Sequence, residues 1–158
     1  MKHQIKTGLS FGITSSVVTT VGLIIGLESS TNSKLAVLGG ILIIAVADSF
    51  SDALGIHMSE ESENIHTKRE VWESTIYTFF SKFFFTLTFA LPILAFDLEK
   101  AAIFSVLWGI ILICVFNYFL AKWQNVKAYK IILEHIFIIT IVIIIAHYVG
   151  KAIGKIFV

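Results

Sequence analysis

Cysteine occurs once in this 158-residue chain, at Cys114. That excludes a disulfide framework and every multi-cysteine zinc or iron–sulfur site. Charge is also scarce: 15% of residues are Asp, Glu, Lys or Arg, against about 25% in ordinary soluble domains. The net charge of +1 lacks the basic excess of a nucleic-acid binder. Neither G-x-x-x-x-G-K-[ST] nor G-x-G-x-x-G is present, so ATP-driven transport and dinucleotide chemistry have no visible machinery. No nucleophile–base pair or cofactor motif stands out, which makes an enzyme the least expected class and a tightly bound cofactor unexpected.

What is abundant is apolar. Hydrophobic residues make up 56% of the chain, fourteen of them Phe, with a single proline and a mean hydropathy of +0.87. A bilayer core of about 30 Å asks for about 20 apolar residues per helix. Five segments meet that demand: 9–27, 35–57, 75–96, 101–121 and 131–149, the last extending to 156 in its longer form. The sequence therefore predicts a single all-α integral membrane domain over 1–158, with short connectors that leave no room for a soluble domain. Lys2 and Lys6 precede the first span, but its apolar stretch is too long for a signal peptide and no A-x-A-like cleavage site follows.

Orientation follows from the Lys/Arg bias of short loops. One side collects Lys2, Lys6, Lys68, Arg69, Lys122, Lys127 and Lys130, the other Lys34, Lys100, Lys151 and Lys155. Seven against four predicts N-in, C-out. The fourth and fifth spans are Ile/Leu/Val/Phe-rich, as lipid-facing scaffold helices are. The first is rich in Ser and Thr and carries Gly8, Gly12, Gly22 and Gly26. Its two small-xxx-small pairs are suited to close helix approach, and pairing with a second copy through this face is expected. Lys82, in the third span, is expected to snorkel towards the inner interface.

The most informative feature is the pair Asp48 and Asp52 in the second span. At 1.5 Å per residue Asp48 lies within about 3–4 Å of the midplane, and an Asp there costs roughly 2.5–3.5 kcal/mol to insert. Positions i and i+4 share one helix face, and intramembrane carboxylates mark ion pathways or proton relays. Two such groups one turn apart do not easily both ionise; a divalent cation or one shared proton would resolve the repulsion. Ser15, Ser16 and Ser51 are candidates for further oxygens along the pathway, because two carboxylates alone leave a six-coordinate ion under-liganded.

Towards the cytoplasmic mouth, the same face continues through Glu63, His66, Glu70 and Glu73, with Glu60 and Glu61 beside it. Glu63 and His66 form an E-x-x-H pair, and imidazole with carboxylate suits Fe, Mn or Zn. Together the five Glu of this loop would concentrate cations by their summed field. His57 and, behind it, Met58 end the second span as further ligand candidates; Glu134 opens the fifth, where a helix N-terminus favours an anion. The alternatives for these features are a hydrogen-bonded, protonated Asp pair that knits helices together and a solvated acidic loop.

Several stretches resemble the vacuolar iron transporter family. The run from Phe11 to Gly26, FGITSSVVTTVGLIIG, is similar to the family's first span, F-G-x-x-D-G with a distal Gly. Ser51, Gly55 and Ser59 fall on the second-span ending S-M-A-x-G-E-Y-x-S. Ser81 through Pro92 resembles the third span, and Leu133–Glu134 with His147 to Gly154 resembles the fifth. The resemblance implies a five-helix protomer, a homodimer with the path between subunits, and export of Fe²⁺ or Mn²⁺ from the cytoplasm against protons. It places the protein in the inner membrane of a prokaryotic cell or a vacuole-type membrane of a eukaryotic one. The family's first-span Asp and Gly fall on Ser15 and Ser16, its Met on Asp52, its Glu on Ile56 and its Tyr on His57. The large cytoplasmic metal-binding insert is absent, as in the nodulin-like members. Either the ion site is rebuilt around Asp48 and Asp52, or the cargo differs. Three functions stay open: a divalent-metal exporter working by proton exchange, a carrier or channel for another ion, and a non-transporting membrane partner protein.

Overall fold

Apolar runs with no proline before residue 92 allow the backbone to close its own hydrogen bonds over long stretches, as a lipid environment demands. The computed structural model describes residues 2–157 and contains six helices among them: α1 His3–Thr31, α2 Lys34–Ser62, α3 Lys68–Thr88, α4 Ala90–Ala95, α5 Leu98–Gln124 and α6 Ala128–Phe157. α3 and α4 form one broken span, so five helices are long and apolar enough to cross a membrane. The break falls at Phe89, just before Pro92, whose missing N–H cannot bond the carbonyl four residues back. The protein is thus all-helical with five membrane-length helices, in the order and number that hydropathy predicts.

Local chemistry sets the turns. α1, the Asn64 turn and α5 close on Asn residues in the left-handed region, Asn32, Asn64 and Asn125, where Asn is among the few side chains tolerated. Ser33 caps α2 through its side chain. Thr67 opens α3 with a full capping box: its hydroxyl accepts from the Glu70 N–H while the Glu70 carboxylate accepts from the Thr67 N–H.

α1 is the central helix and packs against α2, α3, α5 and α6. Its glycines explain how. A Cβ at Gly8 would stand 2.5 Å from the Tyr77 Cβ, and one at Gly12 would stand 2.8 Å from the Thr78 carbonyl oxygen and 3.0 Å from the Lys82 nitrogen. Gly22 and Gly26 face Val142 and Ala146 of α6. The close approach expected between two copies is therefore used within one protomer, because α3 and α6 fill both small-residue faces of α1.

Apolar core residues gather in the half of the bundle away from the N-terminus: Val17, Val21, Ile24, Val37, Ile41 and Phe89 at its centre. The other half is packed by small and polar groups, among them Ser16, Ser49, Ser74, Thr78, Ser81 and Lys82. α6 buries only Ile139 and Gly150 and leaves Phe137, Ile138, Ile141, Ile144 and Ile145 exposed, as expected of a lipid-facing scaffold helix.

Candidate functional site

The polar half has a charged centre. Lys82, at the middle of the third span, is completely buried, and its Nζ is held by three oxygens. It donates to the Asp52 Oδ2 at 2.5 Å and to the Ser15 Oγ at 2.9 Å, and the Asp48 Oδ2 lies 2.5 Å away as an ion pair. An ammonium carries three N–H groups and no acceptor, so partners and donors match in number. Asp52 is the more enclosed carboxylate, 17% exposed against 31% for Asp48.

Each helix contributes for a local reason. On α2 the i, i+4 spacing puts both carboxylates on one face. On α1, Gly12 lets the α3 backbone approach at Ser81 and Lys82, and Ser81 ties the two helices by donating to the Gly8 carbonyl at 2.9 Å. Ser15 lies one turn on from the Gly12 contact.

Lys82 does not snorkel. It runs inward because the anions at its depth, among the described residues, are Asp48 and Asp52 on α2, and a buried charge needs a counter-charge more than it needs water. This changes the chemistry of the pair. The repulsion between Asp48 and Asp52 is offset by an ammonium already between them, so neither a divalent ion nor a shared proton is required. If all three groups are ionised the centre carries one net negative charge.

The other predicted pathway residues separate. Ser16 is buried but donates to the Ile13 carbonyl on its own helix at 2.8 Å. Ser51 is exposed. Ser49, not Ser51, is the buried serine beside the carboxylates, and its hydroxyl has no hydrogen-bond partner.

At the mouth, α2 ends at Ser62 and α3 starts at Lys68, so Glu63 and His66 lie in a turn and not on one helical face. His66 instead faces Glu60, its Nε2 3.3 Å from Oε2, with Glu63 at 4.0 Å. The acidic residues do not form a free field. Glu70 is used in the capping box, and Glu73 is paired with Arg69 at 3.1 Å and Lys2 at 3.6 Å. Glu61 and Glu63 stay exposed, as do Met58 and Glu134. His57 bonds the Thr75 hydroxyl at 2.9 Å and meets the Trp72 ring edge-on, which joins α2 to α3 away from the charged centre. On the opposite end His147 bonds Ser29 at 2.8 Å, and so joins α6 to α1.

Two functional candidates were not legible in the sequence. One is Lys82 as partner of the aspartates. Its signal is depth: an unpaired Lys at mid-span is as anomalous as an Asp. The other is His3, which lies 3.7 Å from Glu60 and carries no local motif. With this geometry in place, comparison with protein families, characterised proteins and solved structures finds no match to any of them.

Proposed function

We propose that the protein is a multi-pass membrane carrier that exchanges a metal cation for a proton at the Asp48–Lys82–Asp52 centre. The observation that carries this reading is the Lys82 ammonium held between two carboxylates and a serine hydroxyl at mid-span. Ionisable groups at that depth are expensive and mark ion paths, and an ammonium already occupies the place a cation would take. When a divalent ion binds the two carboxylates, Lys82 gives up one proton. The local charge then goes from minus one to zero, since plus two enters and plus one leaves. Reprotonation of Lys82 reverses the balance and expels the metal.

The cargo in this reading is Fe²⁺ or Mn²⁺, as the resemblance implies. The donor set favours Mn²⁺, because Asp48, Asp52 and Ser15 supply oxygens only and no imidazole or sulfur. With the N-terminus cytoplasmic, the net direction is export, across the inner membrane of a prokaryotic cell or a vacuole-type membrane. A homodimer remains part of the proposal, but on a face other than the Gly8–Gly26 stripe of α1, which α3 and α6 fill. The same observation favours a second reading, a monovalent-cation carrier: exchange of one such ion for the Lys82 proton leaves the site charge unchanged.

Proteoliposomes loaded with a pH reporter test both. Mn²⁺ or Fe²⁺ should drive proton movement in wild type and not in Asp52→Asn or Asp48→Asn. Proton movement driven by Na⁺ or K⁺ alone selects the second reading. Equal flux in wild type and both variants overturns the assignment of exchange to this centre, and no flux with any ion overturns the carrier reading and leaves the membrane-partner reading.

A further inference from the structure

At the N-terminal end of the bundle three side chains from three parts of the chain converge. His3 opens α1, Glu60 lies in the last turn of α2, and His66 lies in the turn that leads to α3. One nitrogen or oxygen of each lies within 4.8 Å of the other two. The two imidazoles are stacked, with centroids 5.1 Å apart and planes at 19°, so both Nε2 atoms converge on one carboxylate.

Glu60 sets this apart from a solvated surface cluster. Its side chain is 8% exposed, and its Oε2 has no hydrogen-bond partner, since His66 lies within reach but out of donor alignment. A carboxylate in the last turn of a helix also opposes the helix dipole. The neighbouring cations do not serve it: Lys2 and Arg69 both pair with Glu73.

The geometry points to a divalent transition-metal site formed by His3, Glu60 and His66, separate from the mid-membrane centre and independent of the function proposed above. Two imidazoles and one carboxylate with an open position suit Zn²⁺ or ferrous iron, whereas Mg²⁺ and Ca²⁺ favour oxygen-only sets. Ligand atoms about 2.0–2.1 Å from a tetrahedral ion stand about 3.3 Å from one another. The His66 Nε2 lies 3.3 Å from one Glu60 oxygen, Oε2, and the His3 Nε2 lies 3.7 Å from the other, Oε1, with one ligand atom of each residue within 4.8 Å of the other two, so a small rotation of the side chains brings them to that spacing. Glu63, 4.0 Å from His66, or water completes the set. Such an ion neutralises the buried carboxylate, keeps both rings uncharged and clasps the first turn of α1 to the α2–α3 turn.

The test is a Zn²⁺ titration of the purified full chain in detergent, followed by calorimetry and by the melting temperature. Wild type should bind one Zn²⁺ per chain and gain melting temperature, with excess Mg²⁺ unable to compete. His3→Ala and His66→Asn should each weaken binding by about tenfold or more and abolish the gain. His3 is exposed in the first turn of α1, so replacing its side chain leaves the fold intact and the reading does not depend on the more enclosed His66. Asp52→Asn should bind Zn²⁺ here as wild type does, which keeps failure of this site distinct from failure of the exchange centre. Equal Zn²⁺ affinity in wild type, His3→Ala and His66→Asn would overturn the assignment, and so would displacement by Mg²⁺.

Discussion

Lys82 is the residue on which the charged centre turns. Breaking a buried ion pair by removing one partner costs about 3–5 kcal/mol, because the remaining charge is left uncompensated. Lys82→Met leaves two carboxylates facing each other at mid-span with no counter-charge between them. The loss should therefore fall within that range. Adding Asp48→Asn and Asp52→Asn to Lys82→Met should recover much of it, and that non-additivity is the signature of direct coupling. Denaturant unfolding in micelles measures each term; a Lys82→Met protein as stable as wild type would show that the ammonium is not paired. The two aspartates were legible in the sequence because an acidic residue amid apolar neighbours is rare. Their partner was not, because pairing between helices leaves no local spacing to read. Depth was the available clue: Lys82 lies about 21 Å along the axis from Lys68 at 1.5 Å per residue, further than a four-carbon stem reaches.

For the helices, legibility runs the other way. All five spans are readable from hydropathy alone, since each must carry its own apolar length through the bilayer. Their ends are not: α1 begins at His3 where the apolar run begins at 9, and α2 continues to Ser62 where the run ends at 57. Backbone hydrogen bonding continues past the hydrophobic limit until Asn32, Asn64 or a capping side chain stops it. That extension carries Glu60 inward to His3 and His66, so the mouth could not be assembled from a loop reading. Nor does a Gly-x-x-x-Gly pair say which helix it receives. Gly12 receives α3, with the Thr78 carbonyl oxygen and Lys82 nitrogen 2.8 and 3.0 Å from where a Cβ would stand. Gly12→Ala must push α3 outward at the height of Lys82. Overpacking of this kind costs about 1–3 kcal/mol, and cation–proton exchange should fall although no charged group has changed. Gly22→Ala meets a single side-chain methyl of Val142 at 3.0 Å and no backbone atom of another helix within 4 Å, so it should cost less stability than Gly12→Ala and keep exchange. If the two variants behave alike, the Gly12 contact does not position the centre.

At the scale of the whole molecule the two polar sites occupy different depths of the same half. The oxygen-only centre lies at mid-span between α1, α2 and α3, and the histidine-containing site lies at the N-terminal end of those same three elements. The opposite half holds the apolar core and ends in contacts that fix helix positions, such as Lys34 donating to the Phe96 carbonyl at 3.1 Å. An ion entering from the N-terminal end would meet imidazole and carboxylate first and carboxylate with ammonium second, so the direction of the proposed exchange depends on which side that end faces. Seven Lys and Arg residues flank the end of the bundle that holds the N-terminus against four at the other, and that bias, counted in short loops near the span ends, predicts N-in without regard to acidic residues. The Glu60–Glu73 cluster therefore does not weaken it. In sealed right-side-out vesicles an epitope on the C-terminus should be cut by added protease while one on the N-terminus is protected, and in inverted vesicles the pattern should reverse. Five crossings require the two ends to differ, so equal protection of both would contradict the span count itself. Cutting of the N-terminal epitope alone in right-side-out vesicles would keep the five spans, turn the histidine site outward, and convert the proposed exporter into an importer working through the same centre.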